Sequence, residues 1–531
     1  MERPVSGTEP VIGIDLGTTN SCVTVVVDGA VHVIPDESGQ TLQASIVAFL
    51  ADGSVVVGNQ GRAEIMVDPV NTVYSTKRLI GRAFDSGQVQ DAIRALPYAV
   101  VRGSEQQPFI EIRGETYAIP EVSGMVLRRM KDLAEHYLGR SVQRAVITVP
   151  ANFNDTQRQM TALAGELAGL KVLRVINEPT AAALAYGYGH DVNARIAIYD
   201  FGGGTFDVTI LDVRGHIFEV ISTAGDSYLG GDDIDERLIR SMMLAFEQQH
   251  GHSLNNNPQA VARLKHVAEK TKIELTQTDR AVVSVQDLAS GADGTSLGLK
   301  FQLDRDSFGQ RCQDIVQRTF LVCDEALRNA RLTADDLDHV ILVGGSTRMP
   351  LVRDMVGQYF GSKPLHDVNP DEVVAVGAAI QGAALAEDHF VENRPQEAAL
   401  LLDVTPQSLG IASGGEYFEL LIEKNTQVPC EGRRVFTTST DGQTEVRIKV
   451  YQGHSEVIAG NVLLGEVELF GLRSAPRGHV QIDVAFEIDT NGMMLVRATD
   501  RETGLEQATR ILVSAGYTRE EIAHMKARAA Q

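Results

Sequence analysis

Two separated loops carry the residue types that hold phosphate. Asp15-Leu16-Gly17-Thr18-Thr19 follows the apolar run Val11 to Ile14, and Asp200-Phe201-Gly202-Gly203-Gly204-Thr205 follows Ile196 to Tyr199. In each copy an apolar strand delivers an aspartate to its end. A turn of small residues then lets backbone N–H groups approach an anion closely. A second strand leaves each turn, Val23 to Val27 in the first copy and Phe206 to Asp212 in the second, so both are strand-turn-strand hairpins. A Walker-type loop would need Gly-x-x-x-x-Gly-Lys-Ser/Thr opening a helix, and a dinucleotide fingerprint would need Gly-x-Gly-x-x-Gly. Neither stands after a strand in this chain. One such turn alone reads as an ordinary hairpin. The pair implies two half-domains clamping one triphosphate.

A third strand, Val340 to Val343, ends in Gly344-Gly345-Ser346-Thr347-Arg348-Met349-Pro350 and leads into a helical pattern through Val352, Met355, Val356 and Phe360. Paired glycines let a flat base lie against the backbone, and Arg348 can stack on its face. Between Gln259 and Leu275, Val261, Leu264, Ala268, Thr271 and Leu275 follow helical spacing, and Glu269, Lys272 and Thr276 share a neighbouring face. That trio fits ribose hydroxyls; without the phosphate loops it would read as a solvated flank.

The elements that must position these groups divide near residue 390, where the stretch Ala386 to Glu397 is polar and contains Pro395. Upstream, strands alternate with long helical patterns such as Met125 to Leu138 and Asp155 to Gly169, the mark of an α/β architecture. Downstream, strands dominate: Val446, Ile448 and Val450 alternate with Arg447 and Lys449, and Val480, Ile482, Val484 and Phe486 with Gln481, Asp483 and Ala485. Asn491-Gly492 marks a tight hairpin. Residues 404–513 therefore read as a β-sandwich. The apolar run Leu400-Leu401-Leu402 before Asp403 is either the sandwich's first core strand, which spacing alone favours, or an element that docks elsewhere.

The chain has 531 residues, enough for two or three domains, with 43% hydrophobic and 22% charged residues. Its net charge of -22 argues against nucleic-acid or anionic-membrane partners, because phosphate surfaces would repel it. Met1 to Gly7 has no signal-peptide core, and the longest greasy stretch, Val373 to Ala386, is too short to span a bilayer and should be a buried helix. Cys22, Cys312, Cys323 and Cys430 show no Cys-x-x-Cys spacing, and the histidines show no metal-ligand spacing. A reducing, cytoplasmic setting is the default. Cys22, just past the first phosphate loop, reads as a small buried hydrophobe, with a redox-sensitive thiol as the alternative.

Several ordered strings resemble one family. They are Ile12 to Ser21, Lys77-Arg78-Leu79-Ile80-Gly81, Ala145 to Ala151, Ile176 to Ala183, the second phosphate loop, Leu229-Gly230-Gly231-Asp232, the Gly344 loop and Val368 to Glu372. Together they resemble the heat-shock 70-kDa, DnaK-type chaperone family with its actin-like ATPase fold. The resemblance implies an α/β actin-like ATPase domain of two duplicated lobes, each a mixed sheet flanked by helices, followed by a β-sandwich peptide-binding domain. The expected bounds are 1–390 for the ATPase domain, 391–403 for the linker, 404–513 for the sandwich and 514–531 for the start of a C-terminal helix.

Position by position, the resemblance implies that Asp15 and Asp200 anchor Mg2+ through its waters. Gly17, Thr18, Thr19, Asn20 and Gly202, Gly203, Gly204 and Thr205 would cradle phosphates. Gly230, Gly231, Glu269, Lys272, Thr276, Gly344, Gly345, Ser346, Arg348 and Asp371 would complete the nucleotide site. Lys77 would orient the attacking water, with Glu178, Thr205 and Asp207 completing that cluster. Glu178 would relay the γ-phosphate through Pro150 and Arg158 to a linker, Leu400, Leu401, Leu402 and Asp403, that docks on the ATPase domain with ATP bound. This reverses the core-strand preference, while Ala399, in place of a bulkier residue, would weaken coupling. Taken residue by residue instead, Lys77 is a solvent-facing helix-end lysine and Arg158 a solvated helix residue.

ATP/ADP and Mg2+ are the implied cofactors, with K+ as a further ion. The implied partners are unfolded or regulatory polypeptide clients, a J-domain co-chaperone near the linker and a nucleotide-exchange factor on the upper ATPase lobe. Ile411, Phe436, Val446 and Ile448 would line an apolar peptide pocket, although Gly414 and Ser439 stand where larger or more apolar residues usually arch over it. Thr518-Arg519-Glu520-Glu521 has capping-box spacing and should start a helix through Ile522 and Met525. With the chain stopping at Gln531, a family-type helical lid has no room, and peptide should leave quickly. The expected function is an ATP-dependent chaperone that hydrolyses ATP to control binding of extended polypeptide, in protein folding and the stress response. The alternatives are an ATP-binding adaptor or exchange-factor-like relative with little hydrolysis, and, last, a small-molecule kinase of the same fold.

Overall fold

The computed structural model describes residues 9–103, 106–188, 193–291, 294–361, 364–365, 369–386, 400–414, 416–489, 493–510 and 517–529. The expected boundary near residue 390, Ala399 and the Asn491-Gly492 turn lie outside them.

Two mixed sheets share a core of four strands in the same order. The first runs Lys171–Asn177, Arg144–Val149, Val11–Leu16, Asn20–Val27, Ala30–Val33. The second runs His339–Val343, Asn193–Phe201, Phe206–Arg214, Ile217–Asp226, Leu400–Leu402. In each, the strand ending in the phosphate-loop aspartate lies parallel to one neighbour and antiparallel to its hairpin mate. Asp15 faces Cys22 across the first hairpin, and Asp200 faces Asp207 across the second. The two hairpins thus have equivalent strand neighbours in the two sheets.

The apolar stretch after Glu372 is a helix, Val373–Leu385, buried against both the Val11–Leu16 strand and the Glu178–Gly187 helix. Two glycines permit this. A Cβ on Gly13 would lie 2.1 Å from the Ala379 nitrogen, and one on Gly377 would lie 1.7 Å from the Ala181 oxygen. No side chain fits at either crossing. Among the described residues, no helix is long and apolar enough to cross a membrane. Cys22 is buried, at 1% exposure, as the hydrophobe reading expected.

The helix expected from Met125 begins six residues earlier, at Ile119, with Pro120 in the first turn and the Glu121 carboxylate accepting the Ala118 N–H. Glu178 opens a helix and does not end the preceding strand, which stops at Asn177.

Two four-stranded sheets form the sandwich. Their orders are Tyr417–Ile422, Leu409–Ser413, Glu445–Gln452, Val462–Phe470 and Cys430–Thr437, Gln481–Ile488, Met494–Asp500, Glu506–Arg510. Ile482, Val484, Phe486, Val450 and Val496 fill the space between them. Leu400–Leu402 is not part of this sandwich: it pairs in parallel with Ile217–Asp226, Leu401 opposite Phe218, as the edge strand of the second sheet. The core-strand reading of these leucines is therefore corrected. Spacing could not reveal it, because a docked edge strand and a core strand need the same side chains.

The C-terminal helix Arg519–Ala529 starts at the expected box, with Thr518 and Glu521 exchanging side-chain to backbone hydrogen bonds. It rests on the hydrophobic core around the first sheet, where Lys526 pairs with Glu166, the Arg528 guanidinium lies 4.7 Å from the Tyr117 ring, and Met525 and Tyr517 are buried.

Candidate functional site

The cleft between the two duplicated sheets is built from their hairpin turns. In the first, a Cβ on Gly17 would fall 2.0 Å from the Asn20 oxygen, and the Ser45 hydroxyl ties down the Gly17 carbonyl at 2.7 Å. In the second, Gly203 comes so close to the first loop that a Cβ there would lie 2.1 Å from Thr19 Oγ1. Small residues at these positions let the two loops meet. Two expectations narrow. The Gly202 N–H donates to the Thr205 carbonyl, and the Gly231 N–H to the Gly202 carbonyl at 2.9 Å. Those amides brace the loop, so of the amides expected to meet the nucleotide they are already taken. Asn20 also turns away: its Oδ1 accepts from Arg62.

Lys77 sits on a short 3-10 turn, Thr76–Arg78, entered through Ser75 at a φ of 58° and anchored by fully buried Leu79 and Ile80. A left-handed non-glycine residue marks a position held by its surroundings. The Lys77 side chain is 7% exposed and its Nζ donates to Glu178 Oε1, which rules out the solvent-facing reading. Glu178 is aimed inward because Pro179 starts its helix without needing an N–H partner. Thr148 donates to Asp15 at 3.1 Å, and the Asn152 N–H donates to Asp207 at 3.3 Å. A Cβ on Gly225 would lie 2.2 Å from that Asp207 carboxylate, so only glycine fits beside it.

Charge in this cluster is unbalanced. Asp15, Glu178, Asp200 and Asp207 surround one ammonium. Burial, with Glu178 next, raises the Asp15 carboxyl to about 7 and that of Asp207 to about 8, and lifts Asp200 well above its usual range. Burial alone would depress Lys77, but Glu178 and Asp15 outweigh it and hold the ammonium charged. Hard oxygen donors with surplus negative charge fit a Mg2+ ion. Among the described residues no three or more His, Cys, Asp or Glu side chains form a metal-ligating group.

On the second sheet's side, Gly344 has a φ of 84° and lies too close to the Phe201 carbonyl for a side chain. The Ser346 hydroxyl donates to the Gly202 carbonyl at 2.8 Å, joining this loop to the phosphate hairpin. Arg348 is half exposed, its guanidinium plane fixed by Asp371 at 2.6 Å and Asn369 at 2.7 Å. Lys272 is drawn to Asp235 at 2.8 Å, Glu269 faces Arg62 at 3.8 Å, and Thr276 bonds its own helix at the Ile273 carbonyl. The trio shares one helix, Pro258–Gln277, but each member has a protein partner.

A second centre joins cleft and linker. Arg158 donates to the Phe153 and Ala151 carbonyls and to Asn177 Oδ1 at 2.5 Å, so it is not a solvated helix residue. Asn177, next to Glu178, donates to both Asp403 oxygens at 3.0 and 2.9 Å. Burial raises the Asp403 carboxyl although Arg158 and Arg174 oppose it. Pro150 follows the Arg144–Val149 strand, which pairs with the Lys171–Asn177 strand leading to Glu178, and its carbonyl accepts the Phe153 N–H. The sandwich joins here: Gln452 Oε1 accepts the Asp155 N–H at 3.0 Å, and Lys424 pairs with Glu325 at 2.7 Å.

In the sandwich, Ile411 and Ile448 are core residues at 3% and 5% exposure, while Phe436 and Val446 lie partly exposed at the margin of the same cluster. Gly414, at a φ of 57°, has nothing within 4 Å of where a side chain would start. Ser439 organises its own loop by bonding Gln443.

Sequence reasoning missed four bridging residues. Arg62 links Asn20 to Glu269; Arg78 reaches the Gly204 carbonyl at 3.3 Å and Asp232 at 3.5 Å; Lys265 lies 4.6 Å from the Tyr74 ring; Asn177 holds Asp403. Arg78 and Asn177 had a signal, their places next to Lys77 and Glu178. A scan against protein-family models matches residues 11–531, essentially the whole chain, to the family described as Hsp70 protein.

Proposed function

Because the chain belongs to the Hsp70 family, whose members are ATP-dependent chaperones, we propose that it hydrolyses ATP in this cleft and uses the cycle to control binding of extended polypeptide by its sandwich. The observation that carries this reading is the buried Lys77–Glu178 pair lying among Asp15, Asp200 and Asp207 at the meeting point of two glycine-rich turns.

Asp15 and Asp200 would hold Mg2+, which when bound would supply charge neutralisation for the phosphates. Thr18, Thr19 and the Gly203 to Thr205 amides orient the phosphates. Lys77 places positive charge beside the γ-phosphate and, with Glu178, Thr205 and Asp207, aligns the attacking water. A loose phosphoryl transition state needs positioning and charge balance more than covalent help. Gly344, Gly345 and Arg348 take the base. Loss of the γ-phosphate reaches the linker through Glu178, Asn177 and Arg158, with Asp403 at the far end. Clients, a J-domain protein and an exchange factor are the partners this reading requires.

The raised carboxyls give a direct test. Asp15 and Asp207 keep part of their protons at pH 7, whereas a divalent cation beside them favours the charged form. Mg2+-ADP binding should therefore release about one to one and a half protons near pH 7, and affinity should rise from pH 6 to about 9 and level off above that. Calorimetry in two buffers of different ionisation enthalpy reads the release. Mg2+-independent binding, or no proton release beyond that of the nucleotide itself, would remove these carboxylates from the ion's site.

A further inference from the structure

Tyr228 stands in the turn between the Ile217–Asp226 strand and the Gly231–His250 helix, its N–H donating to Asp226 at 2.8 Å. Its neighbours Leu229 and Ile234 belong to the core of the second lobe. Its side chain, however, is held wholly by the first. The Arg78 guanidinium lies 5.1 Å from the ring centroid and that of Arg82 5.8 Å, and the hydroxyl donates to the Gln88 carbonyl. The segment carrying these partners is rooted in the first lobe's core through Leu79, Ile80 and Val89.

Two guanidinium groups against one ring repel each other, and the ring is what they share. Its negative face offsets that repulsion and the cost of burying Arg82, whose Nε has no protein partner. Arg78 is the more consequential of the two. The same side chain reaches the Gly204 carbonyl and Asp232 and Asp233 on the second lobe, and a Cβ on Gly204 would lie 3.1 Å from its Nε. Arg78 follows Lys77 directly. Whatever holds the Arg78 side chain therefore holds the turn that carries Lys77 and the back of the second phosphate loop at once.

We propose that Tyr228 is a positioning residue that bolts the two lobes shut behind the phosphate loops, by its ring on Arg78 and Arg82 and its hydroxyl on Gln88, and so sets how long ADP is retained. The inference rests on the nucleotide reading of the cleft. Nucleotide leaves through lobe opening, and opening must break both ring contacts and the hydroxyl bond. The two parts are separable. Tyr228→Phe keeps the ring and loses one hydrogen bond; Tyr228→Leu loses everything.

The test is the release rate of a fluorescent ADP analogue, chased with excess ADP in a stopped-flow instrument, together with single-turnover ATP hydrolysis and thermal melts of each variant without nucleotide. The proposal expects Tyr228→Leu to release ADP about tenfold or more faster and to hydrolyse bound ATP more slowly. Tyr228→Phe should release it only about two- to fivefold faster and hydrolyse at the parent rate. Melting points of both variants should stay close to the parent's. Release from Tyr228→Leu at the parent rate would overturn the bolt while leaving the cleft reading intact. Equal acceleration in both variants would assign the effect to the hydroxyl and overturn the role of the ring. Parent protein that binds no ADP would overturn the cleft reading and the bolt with it.

Discussion

Lys77→Ala should bind ATP nearly as tightly as the parent chain and hydrolyse it about 10²–10³-fold more slowly, the loss typical of removing one preorganised charge from a developing anion. The separation of the two effects is what matters. Nucleotide affinity is spread over two hairpins and the Gly344 loop, so one ammonium contributes little to it, roughly threefold or less. The charge balance of the cluster, by contrast, depends on Lys77, the ammonium that faces Asp15, Glu178 and Asp200 within it. Without it Glu178 is left buried and unpaired. Lys77→Arg should not restore the rate, because a planar guanidinium cannot occupy a pocket shaped for a compact ammonium. Single-turnover hydrolysis and equilibrium titration with a fluorescent nucleotide measure the two quantities separately. Equal losses in both would make Lys77 a binding residue only.

Leu401→Asp should abolish communication between the domains while leaving basal turnover within about twofold. Leu401 is 9% exposed and pairs with Phe218 at the edge of the second sheet, packed in the same cluster as Val220 and Leu184. An unpaired carboxylate there costs several kcal/mol, more than a three-residue edge strand can offset. The linker should undock, and Asp403 should lose Asn177. Stimulation of hydrolysis by a hydrophobic peptide and a J-domain protein should fall from severalfold to none, while peptide still binds the sandwich. Retained stimulation would show that the parallel pairing of Leu400–Leu402 carries no signal.

How much of this was legible depended on whether chemistry left a local mark. The two aspartate-ended hairpins, the buried Val373–Leu385 helix and the capping box at Thr518 each follow from neighbouring residues, and the sequence located them within about three residues. The pattern from Met125 to Leu138 left out the first turns of the Ile119–Leu138 helix, which contain Pro120 and Gly124. Gly124 is in fact a contact surface, where a Cβ would lie 3.0 Å from the Ala164 carbonyl. Leu400–Leu402 was ambiguous for a different reason: hydrophobic spacing states that a strand will be buried, not against which sheet. The bridges between lobes, Arg62 to Glu269, Lys265 to Tyr74 and Arg78 to Asp232, join residues far apart in the chain. A lone arginine among charged neighbours gives no clue to a distant partner. The same holds for Asn177, which bonds both Arg158 and Asp403, whereas the expected relay ran from Glu178 through Pro150 and Arg158 to the linker without it.

The central claim is that one cleft hydrolyses ATP and reports it to the sandwich. It is tested most directly by steady-state ATP turnover of the purified chain, alone and with a hydrophobic peptide plus a J-domain protein. The structure-based account predicts basal turnover far below the ~10 s⁻¹ of an average enzyme, stimulated severalfold by the two partners together and silenced by Thr205→Ala. Tight ATP binding with no turnover above that of Thr205→Ala, with or without partners, would contradict it. Lys77, Glu178 and Asp207 would then be the framework of a nucleotide-dependent adaptor.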